Sequence, residues 1–242
     1  MPLDKSNVRV QQMFGEIAHR YDFLNRLLSL GIDRSWRRKT VRLVPPEGDA
    51  PGLDVCTGTA DLALAYWRAS GRTAAVVGAD FCLPMLAVGR EKCRKAGADS
   101  HVTLLEADAL HLPFPDDKFQ IVSVAFGLRN IVDTDAGLRE MVRVCRFGGR
   151  VAVLEFSTPA VWPLGAIYGW YFRRLLPRIG QLLAKNSQAA YNYLPQSVGQ
   201  FPQGEALADR MRAAGLVEVR FYPFTFGVAT LYVGRKGLGI GD

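Results

Sequence analysis

Residues 53–63 read LDVCTGTADLA: an apolar run with an acid at Asp54, a short loop with one glycine, Gly58, and the start of an amphipathic segment. A strand that turns through a small-residue loop into a helix is how a nucleotide-binding α/β unit begins. Dinucleotide loops carry several glycines, because the backbone must bend tightly and let a pyrophosphate approach closely. Here Gly58 stands alone, so the stretch poses two questions: what sheet it opens, and which ligand fits so glycine-poor a loop.

Outward from this stretch, apolar runs at 53–56, 74–80, 101–108, 119–126 and 149–156 alternate with amphipathic segments at 60–69, 83–96 and 134–146. Continuous apolar strands separated by helix-length connections predict a parallel sheet covered on both faces. Helical spacing over 8–30 and 33–44, closed by Pro45-Pro46, predicts helices laid before that sheet. After a helix at 203–214, LVEVRFYPF (216–224) and GVATLYVGRK (227–236) are close enough to predict an antiparallel hairpin, so that five parallel strands end in a reversed edge. With no internal repeat, we expect a single domain over 1–242: N-terminal helices (1–45), cofactor-binding core (50–157), a lid or insertion (158–202), and a C-terminal helix and hairpin (203–236).

The protein has 242 residues, 49% of them hydrophobic, enough for a sizeable core. Its 30 Lys and Arg outnumber 23 Asp and Glu, which favours acidic partners without choosing between nucleic acid and a membrane face. The four cysteines form no C-x-x-C pair, so neither a zinc site nor a disulfide framework is expected. The N-terminus lacks a signal-peptide layout, and no apolar run reaches the roughly 18 residues of a membrane span. A cytoplasmic protein, at most peripheral at the inner face of the membrane, is the expectation.

Ligands of such sheets bind at the carboxyl ends of the strands. The loop amides of Thr57 to Ala60 are then expected to face a cofactor, with Asp80 at the end of the second strand accepting from ribose hydroxyls. The loop alone is equally compatible with an ordinary βα turn in which Asp80 caps a helix. One glycine, and no phosphate-cradling Lys after the loop, fit a phosphate poorly. S-adenosylmethionine carries no phosphate, its ribose needs an acid such as Asp80, and its cationic methionyl end tolerates Asp54 and Asp61.

Six ordered blocks then make the sequence recognisable: YDFLNRLLSLGIDRSW (21–36), LDVCTGTAD, LPFPDDKF (112–119), FGLRN (126–130), RVCRFGGRVAVLEFS (143–157) and YNYLPQSVGQFP (191–202). It resembles the ubiquinone/menaquinone biosynthesis C-methyltransferases, demethylmenaquinone methyltransferases included, from about residue 8 to 236. The resemblance implies a class I S-adenosylmethionine-dependent methyltransferase fold: α/β, with a Rossmann-like, mostly parallel seven-stranded sheet, an antiparallel C-terminal hairpin strand, helices on both faces and an N-terminal helical cap. The family usually has glycine at positions 57 and 60, methionine at 24, histidine at 33, serine at 125 and Lys-Pro at 146–147. This protein has Thr57, Ala60, Leu24, Asp33, Ala125 and Arg146-Phe147.

By resemblance, cofactor contacts fall on Thr59, Asp80, Asp108, Ala109 and Ala125, beside Asp54 in the loop. The implied reaction is transfer of a methyl group to a ring carbon of a polyprenyl quinol. Carbon is a poor nucleophile until the adjacent hydroxyl loses its proton, so the site needs a base or water relay and a group that stabilises the quinolate. Arg129 and Asn130 of FGLRN follow the fourth strand, and Arg129 is expected to stabilise the quinolate oxygen unless a salt bridge to Asp133 or Asp135 holds it. Tyr21 and Asp22 lie in the N-terminal cap, with Asp22 as candidate base or water-positioner, or else paired with Arg26. Tyr191 and Tyr193 are candidates to line a quinol pocket, and Glu155 is expected to organise the site.

Residues 160–185 set Trp162, Tyr168, Trp170, Tyr171 and Phe172 among Arg173, Arg174, Arg178 and Lys185, a composition suited to a membrane interface. It also suits a lid packed on the sheet or on a second copy in a homodimer. Demethylmenaquinol to menaquinol is the expected reaction. The ubiquinone-precursor benzoquinol, another small aromatic or lipid acceptor, and a non-enzymatic nucleotide- or nucleic-acid-binding module are the alternatives. The last lacks a nucleic-acid motif or an aromatic-basic β surface, so no nucleic-acid partner is expected.

Overall fold

The computed structural model describes residues 7–29, 31–48, 50–159 and 188–237. Two helices lead, α1 (Asn7–Leu28) and α2 (Asp33–Leu43). The core then alternates β1 (Gly52–Val55), α3 (Asp61–Ala69), β2 (Val76–Asp80), α4 (Leu83–Ala96), β3 (Val102–Glu106), β4 (Phe119–Ala125), α5 (Thr134–Val144) and β5 (Cys145–Phe156). Helices α6 (Gln188–Gln200) and α7 (Glu205–Ala213) precede β6 (Leu216–Phe224) and β7 (Ala229–Lys236). The aromatic and basic segment 160–185 lies outside the described residues.

The seven strands form one sheet in the order β3-β2-β1-β4-β5-β7-β6. Strands β1 to β5 run parallel, and β7 is antiparallel to both β5 and β6. Two expectations need correction. The reversed strand is not the edge: β7 sits between β5 and β6, and β6 closes the sheet. The hairpin connection is residues 225–228, with a 3₁₀ turn at Thr225–Gly227, longer than the two residues left between the expected strands 216–224 and 227–236.

Strand alternation explains why the apolar runs look continuous. In β4, Ile121 faces a core with Trp36, Leu62, Tyr66 and Leu86, while Val122 and Val124 face Leu138, Met141, Leu207 and Met211. Both faces are covered, so both sets of positions must be apolar. Local signals fix the helix ends: Asp133 accepts hydrogen bonds from the amides of Asp135 (3.0 Å) and Ala136 (2.9 Å) at the start of α5. Gly97, at φ +67°, ends α4 in the left-handed conformation.

Strand β1 has β2 on one side and β4 on the other. The crossovers leave β1 in opposite directions, and the gap beyond its carboxyl end is where such sheets bind ligands.

Candidate functional site

A cleft of about 420 Å³, counting space open to solvent, lies at that gap. Its floor comes from the strand ends: Cys56 and Gly58 after β1, Asp80 to Cys82 after β2, and Ala125 to Gly127 with Asn130 after β4. Met85 of α4 forms a wall, and α1 covers it with Val10, Phe14 and Tyr21. Close approach of two strand ends makes this floor possible: a Cβ on Gly127 would lie 2.4 Å from the Cβ of Cys56.

Asp80 is 7% exposed. Its carboxylate accepts from the amide of Gly58 (2.8 Å) and the amide of Cys82 (2.9 Å). It therefore fixes the loop and still holds lone pairs for two hydroxyls. Burial pushes its carboxyl up to about 6, against the pull of those amides.

The LDVCTGTADLA loop is organised from below. Asp54, 1% exposed, accepts from the Thr57 hydroxyl (2.7 Å) and the Ser123 hydroxyl (2.9 Å), so it is not a cleft residue. Three of the four loop amides are committed within the protein: Thr57 to the Ala79 carbonyl, Gly58 to Asp80, and Ala60 to the Thr57 carbonyl. The expectation that all four face a cofactor is thereby corrected for these three. Gly58, at φ +55°, lines the cleft, and a Cβ there would lie 3.2 Å from the Met85 methyl.

Neither departure from glycine intrudes on the cleft. Thr57 points at Asp54, and Ala60 is fully buried. Ala60 does sit at φ +66°, where a side chain is strained by about 1–2 kcal/mol. Ala60→Gly should therefore raise Tm by about 2–4 °C, after the entropy glycine costs, and leave cofactor affinity unchanged. Differential scanning calorimetry and titration with S-adenosylhomocysteine check this.

Asp54 gives a pH prediction. Burial pushes its carboxyl up to about 6 despite hydrogen bonds from Thr57 and Ser123. Below the unfolded value the group is protonated in both states; between about 4 and 6 the folded state holds the proton more tightly, so stability falls as pH rises through that window. Asp54→Asn removes this dependence. Relative to wild type, the variant should gain about 1 kcal/mol between pH 5 and pH 7 in urea titrations, and a constant difference would refute the assignment.

The two groups expected to do the chemistry are otherwise engaged. Arg129 (5% exposed) pairs not with Asp133 or Asp135 but with Glu155 (1% exposed), at 2.9 Å. It also donates to the Phe126 carbonyl and, at 3.4 Å, to the Ser197 hydroxyl of α6. Held this way, the guanidinium supports the FGLRN turn and is not among the cleft-lining residues, so a role toward the quinolate would run through water or through that turn. Asp22 likewise has both oxygens occupied, by the Thr59 hydroxyl (2.6 Å) and the Lys92 ammonium (2.7 Å), an arrangement unsuited to a base. Lys92 also pairs with Asp61 and donates to Thr59 (3.0 Å). Burial alone would raise the Asp61 carboxyl, but Lys92 and Arg37 carry it below its usual value.

Tyr21 and Asn130 do face the cleft. Burial raises the Tyr21 phenol, offset in part by a hydrogen bond with Asn25 and by Arg37 and Arg129, so it stays protonated near neutral pH. The Asn130 Oδ1 is buried and finds no hydrogen-bond partner among the described residues. Asp108 and Ala109 sit outside the cleft lining: the strand ends at Glu106, Asp108 caps the Leu110 amide (2.9 Å), and Ala109 packs into the core. Asp33 pairs with Arg37 at 2.5 Å. Tyr193 is buried, while the Tyr191 side chain lies outside the described residues.

Lys92, which joins Asp22, Thr59 and Asp61, is the residue of this arrangement that sequence reasoning did not single out. Its signal was its place at Met85 plus seven on α4, on the row that carries Met85 and Gly89 and faces inward.

Among the described residues, Asp80 is the only charged one in the cleft lining, and the rest is apolar, aromatic or amide. A cationic, phosphate-free nucleoside such as S-adenosylmethionine fits that donor set: an acid for the ribose, apolar walls for the adenine and no cation to receive a phosphate.

Known proteins share the fold and the sequence. A "SAM-dependent methyltransferase" from Thermotoga maritima has the same fold at TM-score 0.66, with 18% identity over 93% of this chain and 98% of that one. A Thermus thermophilus "Demethylmenaquinone methyltransferase" is 51% identical over 93% of this chain and 100% of its own. A Geobacter sulfurreducens "Ubiquinone/menaquinone biosynthesis C-methyltransferase UbiE" is 45% identical over 98% of this chain and 91% of its own. The family model described as "ubiE/COQ5 methyltransferase family" matches residues 3–236, and the protein belongs to that family.

Proposed function

We propose that this protein methylates a ring carbon of a polyprenyl quinol in respiratory quinone biosynthesis, converting demethylmenaquinol to menaquinol with S-adenosylmethionine as methyl donor. The observation that carries the reading is the family match across 3–236, on a protein whose described cleft lining presents one acid and no cation. The bound cofactor supplies an electrophilic methyl on a cationic sulfur. The protein's own residues do the rest: Asp80 accepts from the ribose hydroxyls, and α1 excludes water from above. Asn130 Oδ1, an acceptor without a partner among the described residues, takes the hydrogen bond of the quinol hydroxyl, whose proton passes to a water relay, and the Tyr21 hydroxyl donates to the oxygen left charged. These contacts would hold the quinol with its electron-rich ring carbon toward the methyl that the cofactor would supply, and the ring proton that the methyl replaces would pass to water. Arg129 and Glu155 act through the turn that holds Asn130.

The ubiquinone-precursor benzoquinol is a second acceptor, favoured by the name of the Geobacter relative. A polyprenyl quinol partitions into the bilayer, so we place the protein in the cytoplasm, peripheral at the inner membrane face. No described helix is long and apolar enough to cross a membrane. Incubation with S-adenosylmethionine and paired short-chain demethylmenaquinol and benzoquinol, read by product mass, decides the acceptor. Methylated naphthoquinol is the expected product; benzoquinol alone favours the second acceptor, and neither product overturns the reading.

A further inference from the structure

Helix α1 is fastened across the cleft at two points. Near its start, Gln11 donates from Nε2 to the Phe81 carbonyl (2.8 Å) and its own carbonyl faces the Cys82 thiol (3.7 Å), both on the loop after β2. Near its end, Asp22 meets Lys92 of α4 and Thr59 of the β1 loop. Between the two points, Phe14 and Tyr21 face the cleft. The second fastening converges on one atom. The Lys92 Nζ contacts Asp22, Thr59 and Asp61, which come from α1, the loop and the start of α3. The three charged side chains are one-fifth to about one-quarter exposed and Thr59 is buried, so the ties are partly shielded from water. Lys92 itself does not line the cleft.

We propose that Lys92 is a positioning residue: its ammonium latches α1, through Asp22, over the bound cofactor and holds Thr59 and the LDVCTGTADLA loop in the same grip. Lifting this end of α1 opens the cleft and breaks one ion pair, Asp22–Lys92, together with the Thr59 hydrogen bond to Asp22; the Lys92–Asp61 pair joins α4 to α3 and stays, and the two neutral contacts at Gln11 hold the start of the helix. The latch acts on how long the cofactor stays and not on the methyl transfer itself, since no group in it reaches the space above Asp80 and Gly58. This reading deepens the cofactor side of the proposed function and is independent of which quinol is methylated.

The test is the dissociation rate of S-adenosylhomocysteine from the full-length protein, by surface plasmon resonance or stopped-flow fluorescence. Lys92→Met keeps the length of the stem and removes the charge; it should speed dissociation about tenfold, and Lys92→Arg should restore most of the difference, as expected when a charge-assisted hydrogen bond of about 1.4 kcal/mol is lost and regained. Asp22→Asn should give the same acceleration with almost no change in volume, and the double variant should be no faster than either single one. Amide exchange in residues 7–28 should rise in step when S-adenosylhomocysteine is bound. If Lys92→Met proves insoluble, Asp22→Asn with its exchange profile decides alone. Dissociation rates within twofold of wild type in folded variants overturn the latch, even where thermal stability falls, because a purely structural tie predicts lower Tm without faster release. Failure of every quinol in the methylation assay leaves this measurement unaffected, so the two readings fail separately.

Discussion

Arg129→Ala should lower the unfolding free energy by about 3–5 kcal/mol, the cost of leaving one partner of a buried ion pair uncompensated. Glu155 is 1% exposed, and after the substitution its charge would be met, among the described residues, by only the backbone amides of Arg129 (3.2 Å) and Phe156 (3.1 Å). The damage spreads because the guanidinium joins three elements: the turn after β4, the end of β5, and α6 through Ser197. It also lies 5.4 Å from the Phe156 ring, a cation–π contact that alanine removes. A loss of this size corresponds to a fall of about 10 °C in Tm for a protein of this length. Methyl transfer should fall with it, since Phe126 and Asn130 belong to the same turn. Replacing both partners, Arg129→Met with Glu155→Gln, should recover most of the stability, because no unpaired charge is then buried. Urea titrations of the single and double variants decide; a change under about 1 kcal/mol for Arg129→Ala would show that the pair stabilises nothing.

Asp80→Ala should weaken S-adenosylhomocysteine binding by at least about 100-fold, or about 2.7 kcal/mol, the scale of one to two hydrogen bonds to a charged acceptor. Two losses combine. The ribose loses its acceptor, and the Gly58 and Cys82 amides lose theirs, so the loop that shapes the cleft is released. Asp80→Asn separates the two: an amide oxygen still accepts from one backbone N–H, but its NH₂ opposes the other. A pH profile gives the sign. Asp80 is pushed up to about 6 by burial, so the cofactor-free protein protonates it as pH falls through that value, and a protonated carboxyl accepts fewer hydroxyls. Affinity should therefore drop below about pH 6 in wild type and stay level in Asp80→Asn. Calorimetry on either side of that value measures both, and parallel profiles would exclude Asp80 as the titrating group.

The sheet and the chemistry of its ligand follow from the order of the amino acids alone. Short apolar runs at helix-length intervals require a parallel sheet covered on two faces, because only strands buried on both sides lack polar alternation. A loop with Gly58 as its sole glycine, followed by Asp80, selected a phosphate-free nucleoside, since donor types are fixed by residue identity before any folding. Where the reading used spacing alone it stayed correct for α3 and α4, and it failed where neighbours are set across the sheet. Nothing local tells β7 to enter between β5 and β6, because that pairing joins Phe156 to Ala229, far apart in the sequence. Side-chain partners belong to the same class. Arg129 chose Glu155 over the nearby Asp133 and Asp135, because Asp133 caps α5 and Asp135 meets Arg210 at 3.2 Å. Asp22 and Thr59, read from sequence as separate actors, share Lys92, and Asp54 supports the loop from beneath. These roles needed the folded arrangement: which charge meets which depends on where helices cross, and the free energy of a charged pair is set by the burial that the crossing creates.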